Sequence, residues 1–194
     1  MTEEKNSAAF RSPFSGTSEQ IKSQISQLAK ITPWKKIDDD AIEAGKRIRN
    51  GEFTKSNLKV IYEWKNGDSR FYKSKLEPMF DSNSPQEIES VLKTVNTADT
   101  SVAAINALSR LKGIKIPTAS AILAHLYPER FTVTDIRALN ALGVRDIEVA
   151  FYLLYNQFCL DLAKNYGVSV RDLDRALWQL GGKRSRRRNA INLA

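Results

Sequence analysis

The chain has 194 residues, 42% hydrophobic and 27% charged, enough for one well-buried domain and short for two of ordinary size. Its formal charge is +8, and the run containing Lys183, Arg184, Arg186, Arg187 and Arg188 supplies five of those charges, so the rest is only mildly basic. The single cysteine, Cys159, excludes an intrachain disulfide and a four-cysteine iron–sulfur cluster, while the single histidine, His125, leaves no His/Cys set for zinc and no Ser/His/Asp relay.

In chain order, residues 1–17 carry no signal-peptide core and read as a flexible arm. Ser18 or a neighbour starts a helix with Ile21, Ile25 and Leu28 on one face, and Asp38 to Arg49 forms the next, favoured at its start by three acids and stopped by Asn50-Gly51. Thr54 to Lys65 is a third, with Leu58, Ile61 and Tyr62 together. Beyond it Trp64 to Arg70 reads as a polar loop and Asp68 to Asn83 as irregular. Ser84-Pro85-Gln86-Glu87 is a capping box with proline at the first helical position, ahead of Ile88, Val91, Leu92 and Val95.

Val102, Ile105 and Leu108 repeat at helical spacing, as do Ala119, Ile122, Leu123 and Leu126, and Ile136 to Leu142 follows as a short helix. Ile147, Phe151, Leu154 and Phe158 mark a long helix to about Asn165. A last helix, capped by Ser169 with Asp172, carries Leu173, Ala176, Leu177 and Leu180 and stops before Gly181-Gly182. Residues 183–194 read as a basic tail, a solvated charge run that attracts phosphates without regard to sequence. Neither a strand pattern nor an internal repeat is visible, so the expected fold is all-α, one helical domain over residues 18–182. There is no Walker loop, no dinucleotide fingerprint and no apolar run long enough to cross a membrane. The expected location is cytoplasmic, or nuclear if the source is eukaryotic.

The segment from Leu111 to Leu142, LKGIKIPTASAILAHLYPERFTVTDIRALNAL, holds most of the functional information. Two amphipathic helices flank a very short turn at Gly113. The second is expected to start at Pro117, which tolerates a missing N–H in a first turn. The N–H groups of Gly113, Ile114, Lys115, Ile116 and Thr118, beside the positive end of that helix, make a seat for a phosphate, with charge from Lys112 and Lys115. The plainer alternative is an ordinary helical hairpin with a glycine as helix stop.

With Pro128, Phe131 and Asp135 following in order, twenty-two residues after Gly113 in the case of Asp135, the segment resembles the helix-hairpin-helix DNA glycosylases, nearest to the 3-methyladenine type. The resemblance implies that Asp135 is catalytic, stabilising positive charge on the deoxyribose and orienting a water at C1′. Asp135 is equally a good N-cap for the next helix. Two departures stand out. Lys115 replaces the usual second hairpin glycine, and Pro117 stands where lyase-active members carry a Schiff-base lysine, so the implied enzyme is monofunctional.

The implied partner is double-stranded DNA bound by a monomer, with no membrane and no resident cofactor beyond a monovalent or divalent cation at the hairpin carbonyls. Trp34, Tyr62, Trp64, Tyr127, Phe131 and Trp178 are candidates to line a pocket for a flipped base, although aromatics at this density more often build the core. Arg137 is a candidate to orient Asp135 or contact DNA, and Arg70 to fill the gap left in the duplex. His125 is expected at the surface or at the boundary of the core. By resemblance the default substrates are alkylated purines. Small stand-alone proteins of this kind suggest a defence role on bulky modified bases of phage DNA. The competing class is a hairpin module that grips DNA backbone without chemistry.

Overall fold

A computed structural model describes residues 10–31, 35–67, 70–143 and 148–191, and among these every regular element is helical. None of the described helices is long and apolar enough to cross a membrane. The chain divides into two compact units, a middle one (Trp34–Pro128) and a terminal one that joins Met1–Pro33 to Glu129–Ala194.

The middle unit contains α2 (Lys35–Arg49), α3 (Lys55–Asn66), a π-helical turn (Tyr72–Leu76) leading into α4 (Glu77–Asp81), α5 (Pro85–Asn96), α6 (Ser101–Leu108) and α7 (Ile116–Leu126). Its centre is α7, whose residues from Thr118 to Leu126 are all buried. A helix that is apolar on every side requires neighbours on every side, and α2, α3 and α6 supply them. Gly45 permits one of these approaches, since a Cβ there would lie 2.3 Å from the His125 carbonyl oxygen. This packing corrects the surface or boundary placement expected for His125, which is 6% exposed.

The capping box at Ser84 forms as read: Ser84 Oγ accepts from the Glu87 N–H, and Glu87 accepts from the Ser84 N–H at 2.7 Å. The reading of residues 68–83 as irregular is overturned for the described part, because Arg70 through Asp81 is helical. Its apolar anchors are Tyr72 and Phe80, whose rings pack 5.5 and 4.2 Å from that of Tyr62. The loop expected over Trp64 to Arg70 is likewise shorter, since Trp64 to Asn66 complete α3.

The terminal unit contains α1 (Ser18–Lys30), α8 (Ile136–Leu142), α9 (Val149–Tyr166) and α10 (Val170–Ile191). The expected amino-terminal arm is anchored where it is described. Phe10 and Phe14 are buried, and the Phe10 ring lies 5.3 Å from both Phe151 and Phe158. Those two aromatics are thus covered by the arm, while the deeper face of α9 is Tyr152, Tyr155, Asn156 and Cys159.

The expected stop at Gly181-Gly182 is also overturned, because α10 runs through both glycines to Ile191 and takes in the whole basic run from Lys183 to Arg188. Gly181 serves close packing instead of termination. A Cβ there would fall 1.6 Å from the Arg137 carbonyl oxygen, so only glycine lets α10 press against α8.

Candidate functional site

The turn between α6 and α7 is built by its inward-facing backbone. Gly113 has φ +80°, the left-handed region that favours glycine. Its carbonyl accepts from Tyr62 Oη at 3.2 Å, and the same hydroxyl reaches the Leu76 carbonyl at 2.9 Å. Burial, then the charges of Asp81 and Glu77, pushes the Tyr62 pKa up to about 12, so the group stays a donor. One residue earlier, Asn83 brackets Lys112, accepting its N–H at 2.9 Å and donating Nδ2 to its carbonyl at 3.0 Å. The Leu111 carbonyl accepts from the Ile114 N–H at 3.2 Å. A cation at these carbonyls would share them with the donors already present.

The outward side is different in character. Lys112 and Lys115 are exposed, while Gly113, Ile114 and Thr118 are buried, so of the residues expected at the phosphate only the two lysines present fully exposed side chains. Helix α7 begins at Ile116, one residue before the expected start, and its N-cap Lys115 provides no side-chain hydrogen bond. The first-turn N–H groups therefore lack the oxygen that Thr54, Ser84 and Thr100 supply to α3, α5 and α6. Lys112 also helps to hold the Glu87 carboxyl below its ordinary range, the smallest contribution after the hydrogen bonds from Ser84.

Asp135 belongs to the terminal unit. The chain leading to it is extended and tied to α9: Asn156 accepts from the Thr132 N–H at 2.8 Å and donates to the Arg130 carbonyl at 3.0 Å. The hydroxyls of Tyr152 and Tyr155 donate to the carbonyls of Thr132 (3.1 Å) and Val133 (3.3 Å). Burial holds both hydroxyls well above their ordinary pKa, so they remain donors. Asp135 then caps α8, its Oδ1 accepting from the Arg137 N–H at 2.9 Å, and it is half-buried. The Arg137 guanidinium stacks 4.1 Å from the Trp178 ring centroid, with its backbone against Gly181.

The expected pocket residues are divided between the two units. Phe131, 3% exposed, is a core residue of the terminal unit. In the middle unit Tyr127 is half-buried and donates to Asn96 at 2.7 Å, while Trp64 donates its indole N–H to Asp38 at 2.5 Å and meets the His125 ring edge-on at 4.5 Å. Arg70 is exposed, and Trp34 lies outside the described residues.

Sequence reasoning missed Asn83, Tyr62 as a clamp on the turn, and Gly181. The first two are contacts between residues 29 and 51 positions apart, with no local signature. Gly181 did have one, since a glycine inside a helical pattern marks a close approach as readily as an end. No family model matches the chain, and neither does any curated protein or solved structure.

Proposed function

We propose that this protein is a monofunctional DNA glycosylase, which hydrolyses the N-glycosidic bond of a modified or damaged base in double-stranded DNA and leaves an abasic site. The observation that carries the reading is the α6–α7 turn: its carbonyls face inward onto Tyr62 and Asn83, while Lys112 and Lys115 are exposed and the start of α7 has no side-chain cap. Such a turn can take a phosphate oxygen on backbone N–H groups with two ammonium groups nearby.

In this reading the two units have separate tasks. The α6–α7 turn is a backbone grip, and Asp135 is the group that acts on the sugar. A base turned out of the duplex leaves with the electron pair of its glycosidic bond, the carboxylate stabilises the cationic sugar, and a water adds at C1′ with loss of a proton. Pro117 supplies no amine, so the sugar cation is captured by water and not by a Schiff base, and the strand stays intact. Bulky modified bases, including those of phage DNA, belong in the substrate panel beside alkylated purines.

One observation favours a second reading, a non-catalytic backbone-binding module: Asp135 already has a structural task as the cap of α8. The two separate on one experiment. Wild type and Asp135→Asn are incubated with DNAs carrying alkylated, deaminated, oxidised and phage-type modified bases, and abasic sites and binding are both measured. Release of one base, lost in the variant while binding persists, supports the glycosylase. Binding without release from any DNA supports the module, and no salt-dependent binding overturns both.

A further inference from the structure

The helical segment from Arg70 to Asp81 packs against the inner side of the α6–α7 turn, where a Cβ on Gly113 would lie 3.0 Å from the Leu76 carbonyl oxygen and 3.1 Å from the Phe80 nitrogen. Another face of the segment is open to solvent: Phe71 is 63% and Met79 45% exposed, and Lys75 between them is exposed as well. Residues four apart are neighbours on a helix, so these three form one stripe beside the buried pair Tyr72 and Phe80. We propose that this stripe binds unpaired nucleotides of DNA, with a base stacked on the Phe71 ring and phosphates held by the flanking cations. This role rests on the reading of the α6–α7 turn as a backbone grip.

Charge selects a polyanion. Arg70, Lys73 and Lys75 are exposed and form no ion pair among the described residues, whereas the two acids of the segment, Glu77 and Asp81, are both held by Lys59, at 3.4 and 3.1 Å. The stripe also leads to the turn. Asn83 Nδ2 donates to the Lys112 carbonyl at 3.0 Å and reaches the Met79 carbonyl at 3.4 Å, so one side chain ties the end of the stripe to a lysine of the proposed phosphate seat. A strand gripped at Lys112 can therefore continue past Met79 and Lys75 to Phe71.

The two apolar side chains select which polyanion. Single surface hydrophobics are ordinary, but here a ring and a thioether stand at the two ends of a cationic stripe. In a paired duplex the base faces are hidden in the stack, and only edges and phosphates meet a protein surface, so such a duplex offers the Phe71 ring nothing to cover it. An unpaired base presents its flat face, and stacking on an aromatic side chain beside a basic track is the sequence-tolerant contact of proteins that hold single strands. The unbranched Met79 side chain adapts to whichever base lies against it. A second copy of the chain fits the stripe less well, since it would bring the same three cations face to face. The π-helical turn that carries Lys75 is a rare element found often at functional sites.

The test is fluorescence anisotropy of the full chain with two labelled DNAs, a fully paired duplex and the same duplex with a central bubble of unpaired thymines. The bubble is expected to bind about tenfold more tightly, the size of one base–aromatic stack. Phe71→Ala should erase that preference and keep the affinity for the paired duplex within about twofold, because the electrostatic contacts are untouched, while Phe71→Trp should retain the preference. Position 71 is exposed, and thermal unfolding reports that the variants are folded. Lys112→Ala should weaken both complexes alike and leave their ratio unchanged. Equal binding of the two DNAs by wild type, or a folded Phe71→Ala that still prefers the bubble, would overturn the role of the stripe and leave the backbone grip standing. Tighter binding of polyglutamate than of the bubble, lost in Phe71→Ala, would reassign the stripe to acidic peptides, and self-association lost in Phe71→Ala would reassign it to a second copy. Absence of salt-dependent binding to either DNA would remove the grip and the stripe together.

Discussion

Tyr62 Oη lies 3.2 Å from the Gly113 carbonyl oxygen, and it also occupies the space that a side chain at position 113 would need, only 2.8 Å from a Cβ built there. A residue of α3 thereby dictates both the identity and the conformation of a residue 51 positions later. The turn keeps its shape because its inner face is hydrogen-bonded and its glycine has no alternative.

Gly113→Ala combines a left-handed backbone cost of roughly 1–2 kcal/mol with an overpacking cost of similar size, so a loss of about 2–4 kcal/mol is expected in urea unfolding. Tyr62→Phe removes the one hydroxyl donor that the Leu76 and Gly113 carbonyls share and should cost about 1–3 kcal/mol. Because both act on one contact, the double variant should lose less than the sum of the singles. Strict additivity would mean that the hydroxyl and the glycine are independent.

The adjacent glycines of α10 should behave in opposite ways. At Gly181 a Cβ would come within 1.6 Å of the Arg137 carbonyl oxygen, whereas at Gly182 the nearest atoms are those of the Arg137 side chain at 3.7 and 3.9 Å. Gly181→Ala must push α10 from α8 and is expected to cost about 3 kcal/mol or more. Gly182→Ala replaces a poor helix former at ordinary contact distance and should stabilise by up to about 1 kcal/mol. Thermal or urea unfolding of the two variants gives the sign directly.

These residues also mark how far the sequence could be read. The helices were legible where periodicity and caps agree, as at Ser84 to Val95, since both signals are local. Gly181 was misread because a helix stop and a close approach use the same residue, and the partner that decides between them, Arg137, is 44 positions away. Residues 70–81 carried no clear periodicity because a π-turn shifts the register between Tyr72 and Phe80. At the candidate site the lysines and the glycine were legible as a turn. Their support from Asn83 and Tyr62, and the clamp of Asn156 on the extended segment before Asp135, depend on tertiary contacts that no local pattern encodes.

The capping box makes a pH prediction. Hydrogen bonds from the Ser84 backbone and side chain hold Glu87 below its ordinary carboxylate range, with a smaller assistance from Lys112. A depressed folded pKa contributes stability above the unfolded value and loses it as the pH falls through the folded one. Wild type should therefore lose part of its stability over the acid side of the carboxylate range, and Glu87→Gln should lack that component. Parallel acid dependence of unfolding in the two proteins would remove Glu87 as a contributor.

Lys112 and Lys115 are exposed and form no ion pair among the described residues, so replacing either with Ala should leave folding stability within about 0.5 kcal/mol. If the turn seats a phosphate, each change should lower the dependence of log affinity on log salt by about one and weaken binding equally on all DNA sequences. Unchanged slopes in both variants would place the DNA contact elsewhere.

Asp135 can be divided into its two tasks by one pair of substitutions. Asparagine caps helices about as well as aspartate, so Asp135→Asn should keep the bond from the Arg137 N–H and unfold like wild type, while Asp135→Ala should lose about 1 kcal/mol. Neither change touches the hairpin lysines, so DNA binding should persist in both. If the carboxylate stabilises a cationic sugar, base release should fall by roughly 10²–10³ in Asp135→Asn despite its intact stability. Equal base release by wild type and Asp135→Asn, with Asp135→Ala merely less stable, would leave the residue as a cap and assign the chemistry to another group.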